Sequence, residues 1–120
     1  MKKVSYRTEL DSLGAIKIPS DAYYGTTTAR AKKNFKISGL TAPKAFREAL
    51  GIVKLAAAET NFSLKLLNAK QKNAIVEACK EFVDGKFANE FNLDIFQAGA
   101  GTSYNMNANE TIANRANEIL

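Results

Sequence analysis

The chain has 120 residues, of which 46% are hydrophobic and 24% are charged, a composition typical of one globular domain with a modest core. It contains no histidine, which excludes a histidine general base, a Ser-His-Asp triad and a histidine-ligated zinc site. Cys79 is the single cysteine, so no internal disulfide can form and a reducing, cytoplasmic setting is expected. The sequence predicts neither a membrane span nor a secretory signal, because its basic N-terminus at 1–5 is followed by no long apolar run.

The net charge is +5, from 17 basic and 12 acidic side chains, which permits an anionic partner without demonstrating one. One basic stretch could form a nucleic-acid-binding patch, although Phe35 is the only aromatic residue there for base stacking. A solvated helix face is the simpler interpretation, because surface lysine needs no partner. A basic helical nucleic-acid-binding module is therefore a distant alternative. The stretch comprises Arg30, Lys32, Lys33 and Lys36.

Short strands are predicted at 4–7 and 15–18, because the Leu13-Gly14 pair between them is typical of a hairpin turn. A loop follows the second strand, and a short helix is expected over 26–35. The hairpin is the only β structure that the sequence predicts. The fold is therefore expected to be mainly helical.

A long helix is predicted next, from an N-cap at Thr41 to about Leu67, with Pro43 in its first turn. One apolar stripe on it is expected to pack in the core, and a second stripe of small residues would let another helix approach closely. A chain of this length has few helices to cover both faces, so self-association or partial unfolding is expected. The first stripe is Phe46, Leu50, Val53, Ala57 and Leu64, and the second is Ala45, Ala49, Ile52 and Ala56.

A capping box formed by Asn68 and Gln71 begins a third predicted helix, and Gly85 ends it in the C′ position. Cys79 lies on the apolar face of this helix with no basic neighbour in the pattern. We therefore interpret it as a packing residue and not as a nucleophile. The apolar face is Ile75, Ala78, Cys79 and Phe82.

A glycine-rich segment at 98–103, Ala-Gly-Ala-Gly-Thr-Ser, opens a fourth helix that is predicted to run from about Ser103 to the end of the chain. Glycine lets the backbone approach a ligand closely, and a helix N-terminus offers free N–H groups and partial positive charge. Such a site favours phosphate or carboxylate, and Thr102 and Ser103 add hydroxyl groups. The alternative is an ordinary tight turn in which Thr102 or Ser103 is the N-cap residue.

Five asparagines fall within this fourth helix, although asparagine competes with the helix for backbone hydrogen bonds. A buried polar network beside an active site or a subunit contact explains them better than a solvated face does. A metal site is not expected, because carboxylates are few and histidine is absent. The asparagines are Asn105, Asn107, Asn109, Asn114 and Asn117, and Glu110 lies on the face that Asn107 and Asn114 share.

The segment 99–116, GAGTSYNMNANETIANRA, closely resembles the fumarase/aspartase superfamily, and so do RTELDSLG at 7–14 and the residues from Tyr23 to Phe35. The resemblance implies a helical domain with a small N-terminal β-hairpin, the N-terminal part of a helical-bundle enzyme. Residues 1–120 are then an N-terminal lyase domain, with the central bundle and C-terminal domains outside this sequence. A last helix that stops without a cap favours the same interpretation. The family's enzymes are homotetramers in which three subunits build each active site.

Ala100 and the Tyr23-Tyr24-Gly25 segment resemble the aspartase branch, since fumarases typically have serine and tryptophan at the corresponding positions. The resemblance therefore implies a carbon–nitrogen lyase that eliminates ammonia from L-aspartate to give fumarate. A class II fumarate hydratase, acting on fumarate and L-malate, is the alternative. Neither activity implies a cofactor. The expected partner is a small dicarboxylate, with no nucleic acid and no membrane.

Thr102 matches a substrate-binding threonine of the family. The resemblance implies that its hydroxyl and the Gly101 backbone, with Ala100 in the same loop, bind a substrate carboxylate and stabilise an aci-carboxylate intermediate. The family's base is a serine much further along the chain. No catalytic residue is therefore expected in these 120 residues, and no turnover from them alone.

Overall fold

The computed structural model describes residues 4–120 and is mainly helical with one two-stranded antiparallel hairpin, as the sequence predicts. The basic N-terminal residues 1–3 lie outside this described part. No helix within 4–120 is long and apolar enough to span a bilayer. The elements are β1 (Tyr6–Asp11), β2 (Gly14–Pro19), α1 (Thr26–Asn34), α2 (Lys44–Ser63), α3 (Ala69–Val83), a 3-10 turn (Ala88–Glu90) and α4 (Thr102–Ile119).

Both strands are longer than predicted, since β1 runs over Tyr6–Asp11 instead of 4–7 and β2 over Gly14–Pro19 instead of 15–18; the register pairs Tyr6 with Pro19 and Asp11 with Gly14. Arg30 of α1 contacts the turn of this hairpin. Its guanidinium donates to both oxygens of the Asp11 carboxylate, at 2.7 and 2.9 Å, and to the Gly14 carbonyl at 3.0 Å. The hydrogen bonds from Arg30 hold the pKa of Asp11 below its usual range. This bidentate pair fastens the turn of the hairpin to α1.

The core lies where α3 and α4 pack together, and the predicted apolar face of α3 is confirmed there. Ala78, Cys79 and Phe82 are fully buried. The Phe82 ring meets Phe91 edge to face, with 5.6 Å between the ring centroids, a geometry that aromatic pairs favour. Further buried members of the same cluster are Ala74, Phe87, Ala108, Ile112 and Ala116.

The predicted capping box at the start of α3 is also confirmed. The Asn68 side chain accepts from the Gln71 N–H at 2.9 Å, and the Gln71 side chain accepts from the Asn68 N–H at 3.1 Å. The helix ends at the C-cap residue Asp84, and Gly85 follows in the predicted C′ position. Because each of these signals is local, they could be recognised from the sequence alone.

Helix α2 differs from the prediction at both ends. Pro43 is its N-cap residue, and the helix ends at Ser63. Thr41 is not the N-cap, because it pairs with Asp94 in an isolated antiparallel bridge. A contact with a residue more than fifty positions away therefore replaces the local capping role that the sequence suggested.

The face that α2 buries agrees with the prediction only in part: Leu50 packs against the core and Phe46 contacts Phe91, but the most buried positions lie elsewhere on the helix. The helix presents Arg47, Gly51 and Ala58 to its neighbours. A Cβ atom at Gly51 would lie 2.7 Å from the Val83 side chain and 2.9 Å from that of Phe82, so glycine is required for the close approach of α3. The closest packing thus runs through Gly51 and leaves both predicted stripes largely in solvent. Their exposed members include Phe46, Ile52, Val53 and Leu64.

The basic stretch lies on α1 and just beyond its end, and its four residues do not form one exposed basic face. Arg30 is bound to the hairpin as described above. The ammonium of Lys32 lies 4.0 Å from the centroid of the Tyr24 ring, a cation–π contact, and burial lowers the pKa of Lys32. Of the four, Lys33 and Lys36 are exposed.

Candidate functional site

The glycine-rich segment forms the turn that leads into α4. The Gly101 N–H donates to the Ala98 carbonyl at 3.1 Å, and the Gly101 carbonyl accepts the first helical hydrogen bond, from Asn105, at 3.0 Å. Gly101 has a φ of 74°, in the left-handed region that favours glycine. Gly101 is therefore the N-cap residue, and neither Thr102 nor Ser103 takes the side-chain capping role.

Free hydrogen-bond donors converge at this helix start. Within residues 4–120, the N–H groups of Thr102 and Ser103 have no acceptor. Thr102 and Ala100 are exposed, and Gly101 between them is partly exposed. Unpaired donors at the positive end of a helix favour an anion. The three residues singled out in the sequence thus lie together at the surface, and their role in substrate binding stays a prediction.

A residue that the sequence analysis missed caps the third N–H group of α4. The Gln97 side-chain oxygen accepts from the Tyr104 N–H at 3.1 Å, and its amide nitrogen donates to the Asp94 carbonyl at 3.0 Å. A capping box predicts a reciprocal pair three residues apart. Gln97 lies seven residues before Tyr104, on the far side of the loop, so local spacing could not reveal it.

Asp94, which was also missed, anchors the segment before the loop. Its carboxylate accepts from the N–H groups of Ser38, Gly39 and Phe96 at 2.6, 2.8 and 2.9 Å, and from the Ser38 hydroxyl at 3.0 Å. Burial raises the pKa of Asp94, but the three backbone N–H groups outweigh it and hold the pKa well below its usual range. A carboxylate so fully occupied serves structure and is unsuited to be a general base.

The predicted buried polar network on α4 forms in part, since Asn107 is fully buried while Asn117 is exposed. Asn107 donates to the Glu90 carbonyl at 2.9 Å, and Asn114 donates to the Tyr23 carbonyl at 2.7 Å. These bonds fasten α4 to two irregular segments. The side-chain oxygen of Asn107 is buried without a hydrogen-bond partner among the described residues, and a neighbouring active site or subunit contact stays a prediction.

Glu110, on the same face, caps α1 from a distance. Its carboxylate accepts from the N–H groups of Gly25, Thr27 and Thr28 at 2.8, 2.8 and 3.1 Å. Helix α1 has no acidic residue in its own first turn, so Glu110 supplies the negative charge that a helix N-terminus favours. The middle of α4 is thereby committed to holding the fold together.

Lys54 connects α2 to the first turns of α4 through a hydrogen bond from its ammonium to the Asn105 side-chain oxygen. The same charge lies close enough to Cys79 to influence it, so the expectation of no basic neighbour is wrong. Burial nevertheless dominates and raises the pKa of the Cys79 thiol to about 11. The thiol is therefore neutral at physiological pH, which agrees with a packing role.

A cavity of about 340 Å³ lies between α2, α3 and α4, and Lys54, Asn61 and Asn109 are its polar lining, but the loop takes no part in it. Within 4–120, no cluster of three histidine, cysteine or acidic residues could hold a metal ion. The loop therefore offers unpaired donors at the surface, and a ligand for them stays a prediction.

A family profile described as "Lyase" matches residues 14–120. The chain therefore belongs to this lyase family, which confirms its resemblance to the fumarase/aspartase superfamily. The match begins at Gly14, the first residue of β2, and includes α1 to α4 together with the loop that opens α4.

Relatives and a solved structure that resemble this chain are named class II fumarases. The class II fumarate hydratase of Halobacterium salinarum is 52% identical over 96% of this chain and 24% of its own length, and that of Neisseria meningitidis serogroup A is 47% identical over 94% and 24%. The crystal structure of class II fumarase from Schistosoma mansoni superposes with a TM-score of 0.92 at 43% identity, covering 96% of this chain and 24% of that one. The chain thus spans about a quarter of the length of these relatives.

These similarities overturn the expectation of an aspartate ammonia-lyase. The relatives at 46–52% identity are named class II fumarate hydratases. The residues that suggested the aspartase branch have other roles here. Tyr23 packs on Phe87, with 4.7 Å between the ring centroids, and its hydroxyl donates to Glu118. Tyr24 lies under the Lys32 ammonium, so both tyrosines have packing roles, and the Ala100 side chain is exposed in the loop that opens α4.

Proposed function

We propose that this chain is the N-terminal part of a class II fumarate hydratase, a hydro-lyase that interconverts fumarate and L-malate. The observation that carries the proposal is the start of α4, where two unpaired N–H groups lie beside the exposed Thr102. This loop belongs to a chain that is 52% identical to a named class II fumarate hydratase. Fumarate is a dianion, and its carboxylates are the kind of ligand that such a helix start favours.

The proposed chemistry assigns this segment a binding and charge-stabilising role. A base from another segment removes a proton from the carbon next to a malate carboxylate, which places a second negative charge on that carboxylate. The hydroxyl group on the adjacent carbon then takes up a proton from a general acid of another segment and leaves as water. Fixed N–H and O–H donors lower the barrier to such a step, because the charge that develops meets prearranged dipoles. In this proposal Thr102 and the Gly101–Thr102 backbone are those donors, with Ala100 lining the loop.

The rest of the site is proposed to come from other segments and other subunits of a homo-oligomer, a tetramer in the complete enzyme. Two observations support this. The 120 residues include no histidine, and the Asp94 carboxylate before the loop is fully hydrogen-bonded within the chain. Helix α2 also leaves apolar side chains in solvent, among them Ile52 and Val53, which are more than half exposed. The segment alone is expected to be inactive.

The experiment that tests the proposed function supplies the full-length protein carrying this segment with L-malate and with L-aspartate separately. The appearance of fumarate is followed by its ultraviolet absorption. We expect fumarate from L-malate and none from L-aspartate. Fumarate from L-aspartate alone, or from neither substrate, would contradict the proposal.

A further inference from the structure

Packing alone does not fix the loop that opens α4. Ala98, Gly99 and Ala100 are exposed, and the space beside the Gly99 and Gly101 α-carbons is open to at least 4 Å. Within the turn itself, one backbone hydrogen bond closes it, from Gly101 to Ala98. A short, glycine-containing turn with so few contacts samples many conformations unless something outside it restrains both ends.

Gln97 supplies that restraint. One side-chain amide group binds the Asp94 carbonyl before the loop and the Tyr104 N–H after it, at 3.0 and 3.1 Å. Residues 98–103 are therefore spanned by a single side chain. Because this side chain occupies the third N–H group of α4, the first two, on Thr102 and Ser103, are left for a ligand.

Both partners of Gln97 are themselves held firmly. Asp94 is fixed by hydrogen bonds from three N–H groups and by its bridge to Thr41. The Tyr104 ring stacks on Phe91, with 5.5 Å between the ring centroids, and also meets Phe46 at 5.1 Å. Because Gln97 is hydrogen-bonded to both of these fixed residues, it restrains the two ends of the loop relative to each other.

From these contacts we infer that Gln97 is a positioning residue for substrate binding, acting through Thr102. It holds the Thr102 hydroxyl and the two free N–H groups in the direction of the substrate carboxylate without touching the substrate itself. The inference rests on the proposed function, since it takes this loop as the carboxylate site. An error of about 1 Å in such donors can lower the rate roughly 100-fold.

The test compares Gln97→Met with Gln71→Met in the full-length enzyme. Gln71 is a matched control, because its side chain makes the same kind of capping bond to a backbone N–H at the start of α3, in the second half of a capping box. Both variants lose a cap and are expected to lower Tm by a similar small amount. We expect kcat/KM for fumarate to fall about 10- to 100-fold in Gln97→Met and less than twofold in Gln71→Met. Equal losses in the two variants would overturn the inference.

A double-mutant cycle with Thr102→Val separates positioning from general structural damage. If Gln97 acts through Thr102, adding Gln97→Met to Thr102→Val should cost less than about threefold, because residues that act as a unit are not additive. The same 10- to 100-fold loss in both backgrounds would show an independent role and overturn the inference. Should Gln97→Met fail to fold, Gln97→Asn replaces it, since it keeps the amide but is too short to reach both partners.

Hydrogen exchange separates this inference from the proposed function. Within 101–104 only the N–H groups of Gly101 and Tyr104 are hydrogen-bonded, the second of them to Gln97 itself. In Gln97→Met these two amides should exchange at least tenfold faster than in the unaltered enzyme, whereas in Gln71→Met they should not change. The measurement needs no substrate, so an enzyme that shows the expected exchange but is inactive on fumarate would contradict the proposed function and leave the restraint by Gln97 standing. Unchanged exchange at Gly101 and Tyr104 would overturn the inference whatever the activity.

Discussion

The middle and the start of α4 use polar residues in opposite ways. In the middle of the helix, polar side chains form hydrogen bonds with backbone groups of segments that are distant in the sequence. These are the side chains of Asn107, Glu110 and Asn114. At the start, the N–H groups of Thr102 and Ser103 have no acceptor within residues 4–120. The middle of α4 therefore has a structural role, whereas its start keeps donors that could bind a ligand. The two regions differ in whether their hydrogen-bonding groups already have partners within the chain.

The largest effect that separates the two halves is expected from Thr102→Val in the full-length enzyme. Valine keeps the shape of the side chain and removes the hydroxyl donor, so kcat/KM for fumarate should fall about 10²- to 10³-fold, by analogy with the loss of one oxyanion-hole donor. Stability should change little, because the side chain is exposed. Steady-state kinetics check this, with Thr102→Ser as the control that keeps the hydroxyl. A valine variant within threefold of the unaltered enzyme would remove Thr102 from the site.

Glu110→Ala should have the opposite signature. The substitution removes the acceptor of the N–H groups of Gly25, Thr27 and Thr28. Hydrogen bonds to charged groups are worth roughly 1.5–3 kcal/mol each and are not additive, so the free energy of unfolding should fall by about 3 kcal/mol. Urea denaturation measures the change. Asn117→Ala, at an exposed position of the same helix, should stay within about 0.5 kcal/mol. Equal stability of Glu110→Ala and Asn117→Ala would show that the middle of α4 does not hold the fold.

A smaller effect is expected when pH is lowered, through Asp94. The pKa of this carboxyl is depressed in the folded chain, so its ionisation stabilises the fold above the unfolded value of 3.8, and that contribution is lost as pH falls from there through the lower folded pKa. The unaltered chain should therefore exceed Asp94→Asn in Tm at neutral pH. The difference in Tm between the unaltered chain and Asp94→Asn should become smaller once the pH is below about 4. A difference in Tm that stays constant from pH 7 to pH 2 would contradict this role of Asp94.

Local signals in the sequence predicted the fold well wherever the partners lie close together in the chain. The capping box of Asn68 and Gln71 and the buried stripe through Cys79 and Phe82 are both contained within one helix, and both are confirmed. Helix α2 shows the limit of periodicity. Its stripes look buried by spacing alone, but the close approach at Gly51 decides which face is covered.

The contacts that shape the candidate site could not be predicted, because they join residues far apart in the sequence. Asp94 and Ser38 are separated by 56 positions, and Glu110 and Gly25 by 85. The sequence indicated the loop at 98–103 and the polar face of α4, yet it gave no hint of which donors would remain free. That distinction arises only when tertiary contacts have satisfied the others.

The most direct test of the division within α4 is hydrogen exchange of the full-length enzyme with and without saturating fumarate. The account predicts slower exchange at the amides of Thr102 and Ser103 when fumarate is bound, because those two N–H groups gain an acceptor. Amides at 107–114 should be unaffected, since their neighbourhood is already occupied by the chain's own groups. Unchanged exchange at 102–103 in an enzyme that turns over fumarate would contradict the account.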